Sequence, residues 1–413
     1  TLKLNANDTV TLRDLASLIE ERSDAQFRAM AANGIDKIFT TDRMLSLKVA
    51  QAVALGNKIT VNDGHDASAQ GDFAGPYFEI RDTSDQIKTL TKAKLVVLNL
   101  NGVNQLHSSD ADGKMSLTAE ALMALGAIKI AQGDSVTLFD DGVNISGDKT
   151  HTGVDFSKLA SIGAYTNAGM TEKVINYIDA NNTSNELQLS LAQFHDLVAA
   201  TNWKLTQADI VTLRDSQAEL DKLTEDEILG PMVNDVRDSS QGLSARGIDH
   251  LSTTADNHAF SLTLAQYDAL VQTSCTLLGD DIVTVTGLTQ ANFDEDGKTP
   301  AWFAALKANH VDNLGIKDND DLAISVAKYK GLGDIVLVTS GTITLTDTAA
   351  ELARSTTDLA HLRDHGITAI KVSDGNPLKL SVAQYRDLNN GSVTLNANDT
   401  VVISDTVEHL KSL

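Results

Sequence analysis

Residues 343–388 read ITLTDTAAELARSTTDLAHLRDHGITAIKVSDGNPLKLSVAQYRDL, and the order of short motifs in this stretch recurs along the chain. An apolar, strand-like run that ends near an acidic residue occurs seven times, as VTLRD, FEIRD, VTLFD, VTLRD, VTVTG, ITLTD and VVISD. Consecutive runs lie roughly 65 residues apart, a spacing that indicates a repeat architecture. Their central apolar residues are Leu12, Ile80, Leu138, Leu213, Val285, Leu345 and Ile403.

Two further motifs keep the same phase. One is a Gly-Ile/Val pair before a second strand-like run, which starts at Gly34, Gly102, Gly247 and Gly366. The other is the motif SVAQYRDL at Ser381–Leu388, with counterparts that start at Lys48, Thr118, Ser190, Thr263 and Ser325. We therefore predict one array over 1–413, with repeats at about 10–77, 78–135, 136–210, 211–282, 283–342 and 343–400, and residues 401–413 starting a seventh.

The sixth repeat shows the predicted order of elements most clearly. Ile343–Thr346 alternates as a strand, Asp347 is predicted to be the N-cap, and Thr348-x-x-Glu351 fits a capping box. Gly366 is predicted to end the helix in the left-handed conformation. Strands follow at 367–372 and 378–380, and Ser381-x-x-Gln384 is a second capping box.

We expect Leu352, Leu359 and Leu362 to share the apolar stripe of one helix. A strand and a helix alternate, so each repeat buries its apolar edge only against its neighbours. The predicted fold class is α/β, a repetitive solenoid of strand-helix-strand-strand-helix units that stack as leucine-rich repeats do.

Composition excludes several classes of function. The 413 residues carry a formal charge of −23, which argues against nucleic-acid binding because phosphates would be repelled. A single cysteine, Cys275, excludes an intramolecular disulfide and a multi-cysteine metal site; we expect it to be buried and inert. No apolar run approaches the roughly 20 residues of a membrane-spanning helix. No signal-peptide pattern or initiator Met stands at Thr1, so we expect a processed chain or a piece of a longer one.

The sixth repeat, ITLTDTAAELA…ITAIKVSDGNPLKLSVAQY, resembles repeats of very large, type I-secreted bacterial surface proteins of the hemolysin-type calcium-binding class. The resemblance is good in repeat six, recognisable in repeats one, four and five, and loose in two and three. It implies secretion to the bacterial cell surface and a structural or adhesive, S-layer-like or adhesin-like role. The glycine-rich calcium nonapeptide of that class is absent from this sequence, so its calcium sites cannot be transferred.

Acidic turns are the candidate calcium ligands. Two segments, DADG at 110–113 and NFDEDG at 292–297, place oxygen ligands on alternate residues before a glycine, as calcium loops do, but neither has the glutamate at position twelve. Tight turns need the same residue types, so a purely structural role is the alternative. The candidates are Asp110, Asp112, Asn292, Asp294, Asp296, Asp318 and Asp320, with further acid at Asp321 and in the insertion that carries Asp63, Asp66 and Asp72.

Other motifs have a structural alternative that we prefer. Ser325-x-x-Lys328 matches a penicillin-binding motif, but the same column holds other helix-capping residues. His361 and His365 would share one helix face as a metal pair does, yet histidine is also favoured near a helix end. The insertions at 56–77 and 140–155 are candidate binding loops. The aromatics near such loops are Tyr77, Phe78 and Trp302, which could stack on sugars but are more readily read as core residues.

The strand-end aspartates are assigned to helix capping: Asp14, Asp82, Asp140, Asp215, Asp347 and Asp405. We predict a non-enzymatic scaffold whose partners are a cell-surface or extracellular protein or glycan, or a second copy of itself. Calcium is the one ion we consider. The alternatives are a toxin-like module that binds protein or glycan, and a polysaccharide-active enzyme with paired carboxylates.

Overall fold

The computed structural model describes residues 8–61, 78–147, 153–159, 162, 175–181, 184–199, 204–206, 208–233, 236–294, 300–317, 320–354 and 358–413. The chain divides into two compact units, an N-terminal unit (Thr1–Thr212) and a C-terminal unit (Leu213–Leu413). Asp63, Asp66, Asp72, Tyr77, Asp296 and Asp318 lie outside the described residues.

The N-terminal unit holds the first three predicted repeats. The first contains β1 (Thr11–Asp14), α1 (Ala16–Glu20), α2 (Asp24–Ala32), β2 (Lys37–Thr40), β3 (Leu45–Leu47), α3 (Val49–Ala54) and β4 (Thr60–Val61). The second contains β5 (Phe78–Asp82), α4 (Ser84–Ile87), α5 (Lys92–Leu100), β6 (Gln105–Ser108), β7 (Lys114–Leu117), α6 (Ala119–Met123) and β8 (Lys129–Ile130). The third contains β9 (Ser135–Asp140), α7 (Gly142–Ser146), α8 (Phe156–Leu159), β10 (Ile175–Ala180), β11 (Glu186–Leu189), α9 (Leu191–Ala199) and β12 (Lys204–Leu205).

The fourth predicted repeat begins with β13 (Ile210–Asp215), in which the division between the units falls. It continues with α10 (Gln217–Leu220), α11 (Glu225–Leu229), β14 (Met232–Val233), β15 (Val236–Arg237), β16 (His250–Thr253), β17 (Ala259–Thr263), α12 (Leu264–Leu270) and β18 (Thr276–Leu277). Two short 3₁₀ turns, Ser239–Gln241 and Ser244–Arg246, precede β16.

The C-terminal unit ends with repeats five and six. Repeat five contains β19 (Ile282–Leu288), α13 (Gln290–Asp294), α14 (Pro300–Ala308), β20 (Val311–Ile316), β21 (Leu322–Ile324), α15 (Val326–Leu332) and β22 (Val336–Val338). Repeat six contains β23 (Ile343–Asp347), α16 (Ala349–Leu352), a 3₁₀ turn (Arg363–His365), β24 (Ala369–Val372), β25 (Leu378–Leu380), α17 (Val382–Asn390) and β26 (Thr394–Leu395). β27 (Val401–Ile403) and α18 (Val407–Leu410) follow.

Neighbouring repeats share their sheets. In the N-terminal unit the strand orders are β1-β2-β4, β3-β5-β6-β8 and β7-β9-β10-β12. In the C-terminal unit they are β17-β19-β20-β22, β21-β23-β24-β26 and β25-β27, and β16 pairs with β18. The pairings in these sheets are parallel, as in the register of Leu47 with Ile80 and of Leu262 with Val285. Each four-stranded sheet thus takes its outer strand from one repeat and the other three from the next, and the fold is α/β with parallel sheets.

The strand centres confirm the predicted strands and their burial. All seven predicted runs are strands. Ile80, Leu138, Leu213, Val285 and Leu345 are fully buried, whereas Leu12 and Ile403 are half-buried. Among the described residues, β1, which carries Leu12, has no outer strand beside it, and β27, which carries Ile403, pairs only with β25.

Two predictions about the elements are wrong. The first helical segment of repeat six ends at Leu352, and Leu359 and Leu362 are buried without belonging to that helix. In repeats one to five this segment is divided into two helices, so one continuous stripe does not exist. The predicted repeat unit also lacks the short fourth strand that the structure contains, because two-residue strands such as β4 carry no periodicity to detect.

Gly366 adopts the predicted left-handed conformation, with φ 82°. A Cβ atom at this position would lie 2.1 Å from the carbonyl oxygen of Leu337, so the close approach also requires glycine. Gly34, Gly102 and Gly247 have φ values of 84–86° at the equivalent place. The motif therefore marks the turn that leads into the second strand in repeats one, two, four and six.

Candidate functional site

The aspartates that end the first strand of a repeat join two helix starts. Asp82 Oδ1 accepts from the amide of Thr83 at 2.9 Å, and Oδ2 accepts from the amide of Val49 at 3.0 Å. Thr83 is the N-cap of α4 in the same repeat, and Val49 is the first residue of α3 in the preceding repeat. One carboxylate thus satisfies an unpaired amide at two helix N-termini, where negative charge is also favoured.

The same arrangement recurs at three other repeat joints. Asp140 bonds the amides of Asp141 and Ala119 at 2.8 and 2.9 Å. The amides bonded by Asp347 are those of Thr348 and Val326, at 2.8 and 3.0 Å, and Asp405 bonds those of Thr406 and Val382, at 2.7 and 3.0 Å. We call Asp82 and these three residues the carboxylate links.

The predicted N-cap role of Asp347 is wrong in detail. The N-cap of α16 is Thr348, whose hydroxyl accepts from the amide of Glu351 at 3.2 Å. The amide of Thr348 donates to Asp347, whereas the capping-box prediction assigned that acceptor role to Glu351. Sequence reasoning missed the second bond of each link because its donor lies 21 to 33 residues earlier in the chain.

A second set of acidic residues, in the turns between the second and third strands, caps the first helix in repeats one, two and six. Asp42 accepts from the amide of Ala16 at 2.7 Å, and Asp374 accepts from that of Ala349 at 3.2 Å. Asp110, a calcium candidate, does the same with the amide of Ser84 at 2.8 Å. Aspartate recurs at this turn in the sequence. The structure shows that these aspartates accept hydrogen bonds from backbone amides at the start of a helix.

The other members of the two acidic turns are spread over a loop and a helix. Asp112 is exposed and accepts from the amide of Lys114, whose Nζ lies 3.3 Å away; this hydrogen bond and the nearby ammonium lower the pKa of Asp112. Asn292 lies inside α13, and its Oδ1 accepts from the amide of Thr289 at 2.9 Å. Asp294 is the last residue of that helix and accepts from Gln290.

Asp320 and Asp321 directly precede β21, and both accept hydrogen bonds from the segment that precedes β23. The carbonyl of Asp320 accepts from the Thr339 hydroxyl, and Asp321 Oδ1 accepts from the amide of Thr342 at 2.7 Å. Within the described ranges, no three His, Cys, Asp or Glu side chains converge in a way that could hold a metal ion. Calcium binding therefore stays a prediction.

The two enzyme-like motifs take structural places. Ser325 is the N-cap of α15, and its hydroxyl accepts from the amide of Lys328 at 3.3 Å. His361 and His365 flank and end a 3₁₀ turn instead of sharing an α-helical face. Nδ1 of His361 lies 2.7 Å from Asp364, while Nδ1 of His365 lies 3.0 Å from the carbonyl oxygen of Ile335. The histidines thus contact different partners.

Cys275 and Phe78 are buried, as predicted. Burial raises the pKa of the Cys275 thiol to about 12, which keeps it protonated and unreactive at neutral pH. Trp302 is half-buried and meets the ring of Phe303 edge-on at 5.1 Å. Phe78 and Trp302, the two candidate stacking residues that the structure describes, therefore lie in β5 and α14 and not in a loop.

Two shallow grooves are present in the described parts of the chain. In the N-terminal unit, a groove of about 750 Å³ is lined by α5, the start of α6 and the residues around Asp140, with Val96, Met123 and Val154 as its apolar wall. In the C-terminal unit, a groove of about 520 Å³ lies between the starts of α11 and α12 and carries Asp221, Glu225 and Asp226. Neither holds a convergent set of catalytic groups.

Comparison with known proteins does not identify a family for this chain. No protein-family model matches the sequence, and no curated protein matches it. Among solved structures, the chain is similar to the plant peptide hormone receptor RGFR1 in complex with RGF2, with 10% identity and a TM-score of 0.21 over 96% of this chain and 66% of the receptor chain. This likeness is too low to carry an inference. Among the residues that the structure describes, no helix has the length and apolar character to cross a membrane.

Proposed function

We propose that this chain is a non-enzymatic repeat segment of a large secreted bacterial surface protein, where it serves as a structural or adhesive scaffold. The observation that carries the proposal is the repeated carboxylate link. Acid that could have formed a catalytic or binding cluster is used instead to satisfy backbone amides of adjacent repeats, as in Asp82, Asp140, Asp347 and Asp405. The resemblance of repeat six to type I-secreted surface proteins supports the localisation.

We also propose that the repeats stack as a solenoid, in the manner of leucine-rich repeats. Sheets shared between consecutive repeats support it, because such sheets fix each repeat to its neighbour. Small-angle scattering of the full chain tests the stacking; the distance distribution of a sphere of the same mass would contradict it.

Weak calcium binding at the exposed acidic turns is part of the proposal. One site with a Kd of about 1 mM would raise the melting temperature by about 2–4 °C in 5 mM Ca²⁺. The experiment compares melts in EDTA, in Ca²⁺ and in Mg²⁺, for the chain and for Asp112→Asn. A rise that Ca²⁺ alone produces and that the variant reduces supports calcium; identical melts remove the ion and leave the scaffold untouched.

One exposed surface favours a binding role as the second candidate. The antiparallel hairpin β14–β15 interrupts repeat four and exposes Met232, Val233 and Val236, the last at 69%. Exposed apolar strands pair readily with other chains. We expect concentration-dependent association in sedimentation velocity that Val236→Glu abolishes and that Val338→Glu, on β22, leaves unchanged. A chain that stays monomeric at all concentrations would remove self-association through this hairpin.

A further inference from the structure

Three repeats place a residue with a left-handed backbone beside a buried aspartate that precedes the next strand. The left-handed residues are Gly113, Asn185 and His258, with φ of 62°, 53° and 55°. The carbonyl of each accepts from the amide that follows the aspartate: Ser135 at 3.0 Å, Ile210 at 2.8 Å and Ile282 at 2.7 Å. The aspartates are Asp134, Asp209 and Asp281, which are 8%, 6% and 4% exposed.

A side chain at the left-handed position points at the aspartate. A Cβ built on Gly113 would lie 2.9 Å from Oδ1 of Asp134. In the next copy, Asn185 donates to the carbonyl of Ala208, next to Asp209, at 3.3 Å. Glycine adopts this backbone freely, and asparagine and histidine are among the other residues that adopt it most often, so His258 keeps the backbone of the other two copies and adds an imidazole beside the aspartate.

The aspartates of the first two copies have good partners for their charge. Asp134 accepts from the amide of Ser108 at 2.7 Å and lies 3.2 Å from Nδ1 of His107. Asp209 accepts from the hydroxyl of Thr206 at 2.7 Å and from the amide of Ala180. Each carboxylate is therefore held by a short, direct hydrogen bond.

Asp281 lacks such partners. Neither of its oxygens, nor Nδ1 of His258, forms a well-aligned hydrogen bond, although all three atoms are buried. Nδ1 of His258 lies 3.6 Å from Oδ1 of Asp281 and 3.8 Å from Oδ2 of Asp280. Burial raises the pKa of Asp281; the nearby Ser252 and His258 lower it, and Asp280 raises it. Among the groups that shift the pKa of this buried carboxylate, His258 is the one that can carry a positive charge.

We propose that His258 and Asp281 form a pH-sensitive latch that fastens the turn before β17 to the start of β19. A protonated imidazole neutralises the buried carboxylate and closes the latch. Imidazoles lose their charge between about pH 5 and pH 8. As the pH rises through that range, the ring loses the positive charge that balances the buried carboxylate, so the latch weakens. The direction follows from linkage: stability that depends on a protonated histidine is present at low pH and is lost on deprotonation. The latch is independent of the proposed scaffold function.

Hydrogen exchange at the Ile282 amide tests the latch, because this amide donates to the carbonyl of His258. Mass spectrometry of the full chain at pH 5.5 and 8.0 gives protection factors after correction for the intrinsic rates. We expect about a tenfold loss of protection at pH 8.0, which is the effect of leaving one buried polar group unpaired. The Ile210 amide is the internal control, because Asn185 takes the place of the histidine there.

Two variants separate the latch from general effects of pH. His258→Asn introduces asparagine, the residue found at the equivalent position 185. The pH-dependent loss of protection at the Ile282 amide should then fall below twofold, and Asp281→Asn should give the same result. His361→Asn, which removes an exposed histidine paired with Asp364, should leave the tenfold loss intact. If Asp281→Asn does not fold, His258→Asn alone decides. An unchanged pH response at Ile282 in His258→Asn would overturn the proposal.

Discussion

A helix leaves its first amides without intrahelical partners, and in this chain a carboxylate from the neighbouring repeat accepts one of them. Asp82 illustrates the geometry, with one oxygen on Thr83 and the other on Val49, at a site that is 9% exposed. Two hydrogen bonds to one charged group are stronger than two neutral ones. The residue therefore stabilises the contact between two repeats as well as its own helix.

Replacing Asp82 by alanine tests the second bond of the link. Asp14 is the matched control, because it ends β1 in the same unit and bonds the following amide, that of Leu15, at 2.9 Å, with no repeat before it among the described residues. A lost cap costs about 1 kcal/mol, so we expect about 2 kcal/mol for Asp82→Ala and about 1 kcal/mol for Asp14→Ala. Urea unfolding measures both. Equal losses would show that the bond to Val49 contributes nothing.

Asp405 makes a prediction for acid pH. Its hydrogen bond to His409, at 2.8 Å, and those to the amides of Val382 and Thr406 lower its pKa to about 2. The stability that this carboxylate contributes is thus present above the ordinary pKa of an aspartate, about 3.9, and is lost as the pH falls towards 2. A carboxyl-carbon NMR titration should show the low midpoint, and His409→Gln should raise it. A midpoint near 3.9 in the unaltered chain would contradict the geometry.

At the scale of the element, glutamine joins the two helical segments of a repeat. Gln266 accepts from the amide of Thr263 at 2.8 Å to complete the capping box of α12. Its Nε2 donates to the carbonyl of Leu223, just beyond α10, at 2.7 Å and to that of Leu220, the last residue of α10, at 3.3 Å. Gln51, Gln193 and Gln384 make the corresponding bonds in other repeats. The glutamine in the SVAQY motif is therefore a joint as well as a cap.

We expect Gln266→Ala to cost about 2 kcal/mol, because at a buried position it removes the side-chain partner of the Thr263 amide and of the Leu223 carbonyl, whereas the Leu220 carbonyl still accepts from the amide of Leu223. Lys328 occupies the same place in repeat five, and its contribution to the cap is its backbone amide, which alanine keeps. Lys328→Ala should therefore change the free energy of unfolding by less than about 0.5 kcal/mol. Similar losses in both variants would show that the side-chain bonds of Gln266 carry no weight.

The sequence predicted elements that depend on local rules. The strand around Leu345, the capping box at Ser381 and the left-handed turn at Gly366 each follow from neighbouring residues, and the structure confirms them. The link between Asp347 and Val326 could not be predicted this way, because the sequence carries no local mark of a bond made 21 residues away. The end of α16 at Leu352 was missed because a leucine spacing that fits a helix also fits buried residues in a turn.

The calcium ligands proposed from the sequence stay a prediction. Asp110 was singled out as a carboxylate beside a glycine turn, and one of its oxygens accepts from the amide of Ser84. The alternation that suggests calcium ligands in 292–297 begins inside α13, where successive residues point in different directions. A tight turn, a helix cap and a calcium loop select the same residue types, so composition alone does not separate them.

At the scale of the whole molecule, the formal charge of −23 is largely explained by where the acid lies. Aspartates end the first strands, fill the turns between the second and third strands, and precede the first strand of the next repeat. Each place brings a carboxylate to a backbone amide, as in Asp140, Asp42 and Asp134. These acidic residues thus lie at the contacts within and between repeats, and we infer that accepting from backbone amides is a main role of the acidic charge in this chain.

Native-state hydrogen exchange of the first amide of the second helical segment tests this claim most directly. Such amides usually exchange fast, but Val49, Ala119, Val326 and Val382 each donate to a carboxylate link. The chain supplies its own control, since Gly287 stands where the others carry aspartate, beside the first amide of α12 at Leu264. We predict that the four linked amides exchange at least about tenfold more slowly than Leu264, the effect of a hydrogen bond of about 1.4 kcal/mol. Exchange of all five at the same rate would contradict the account.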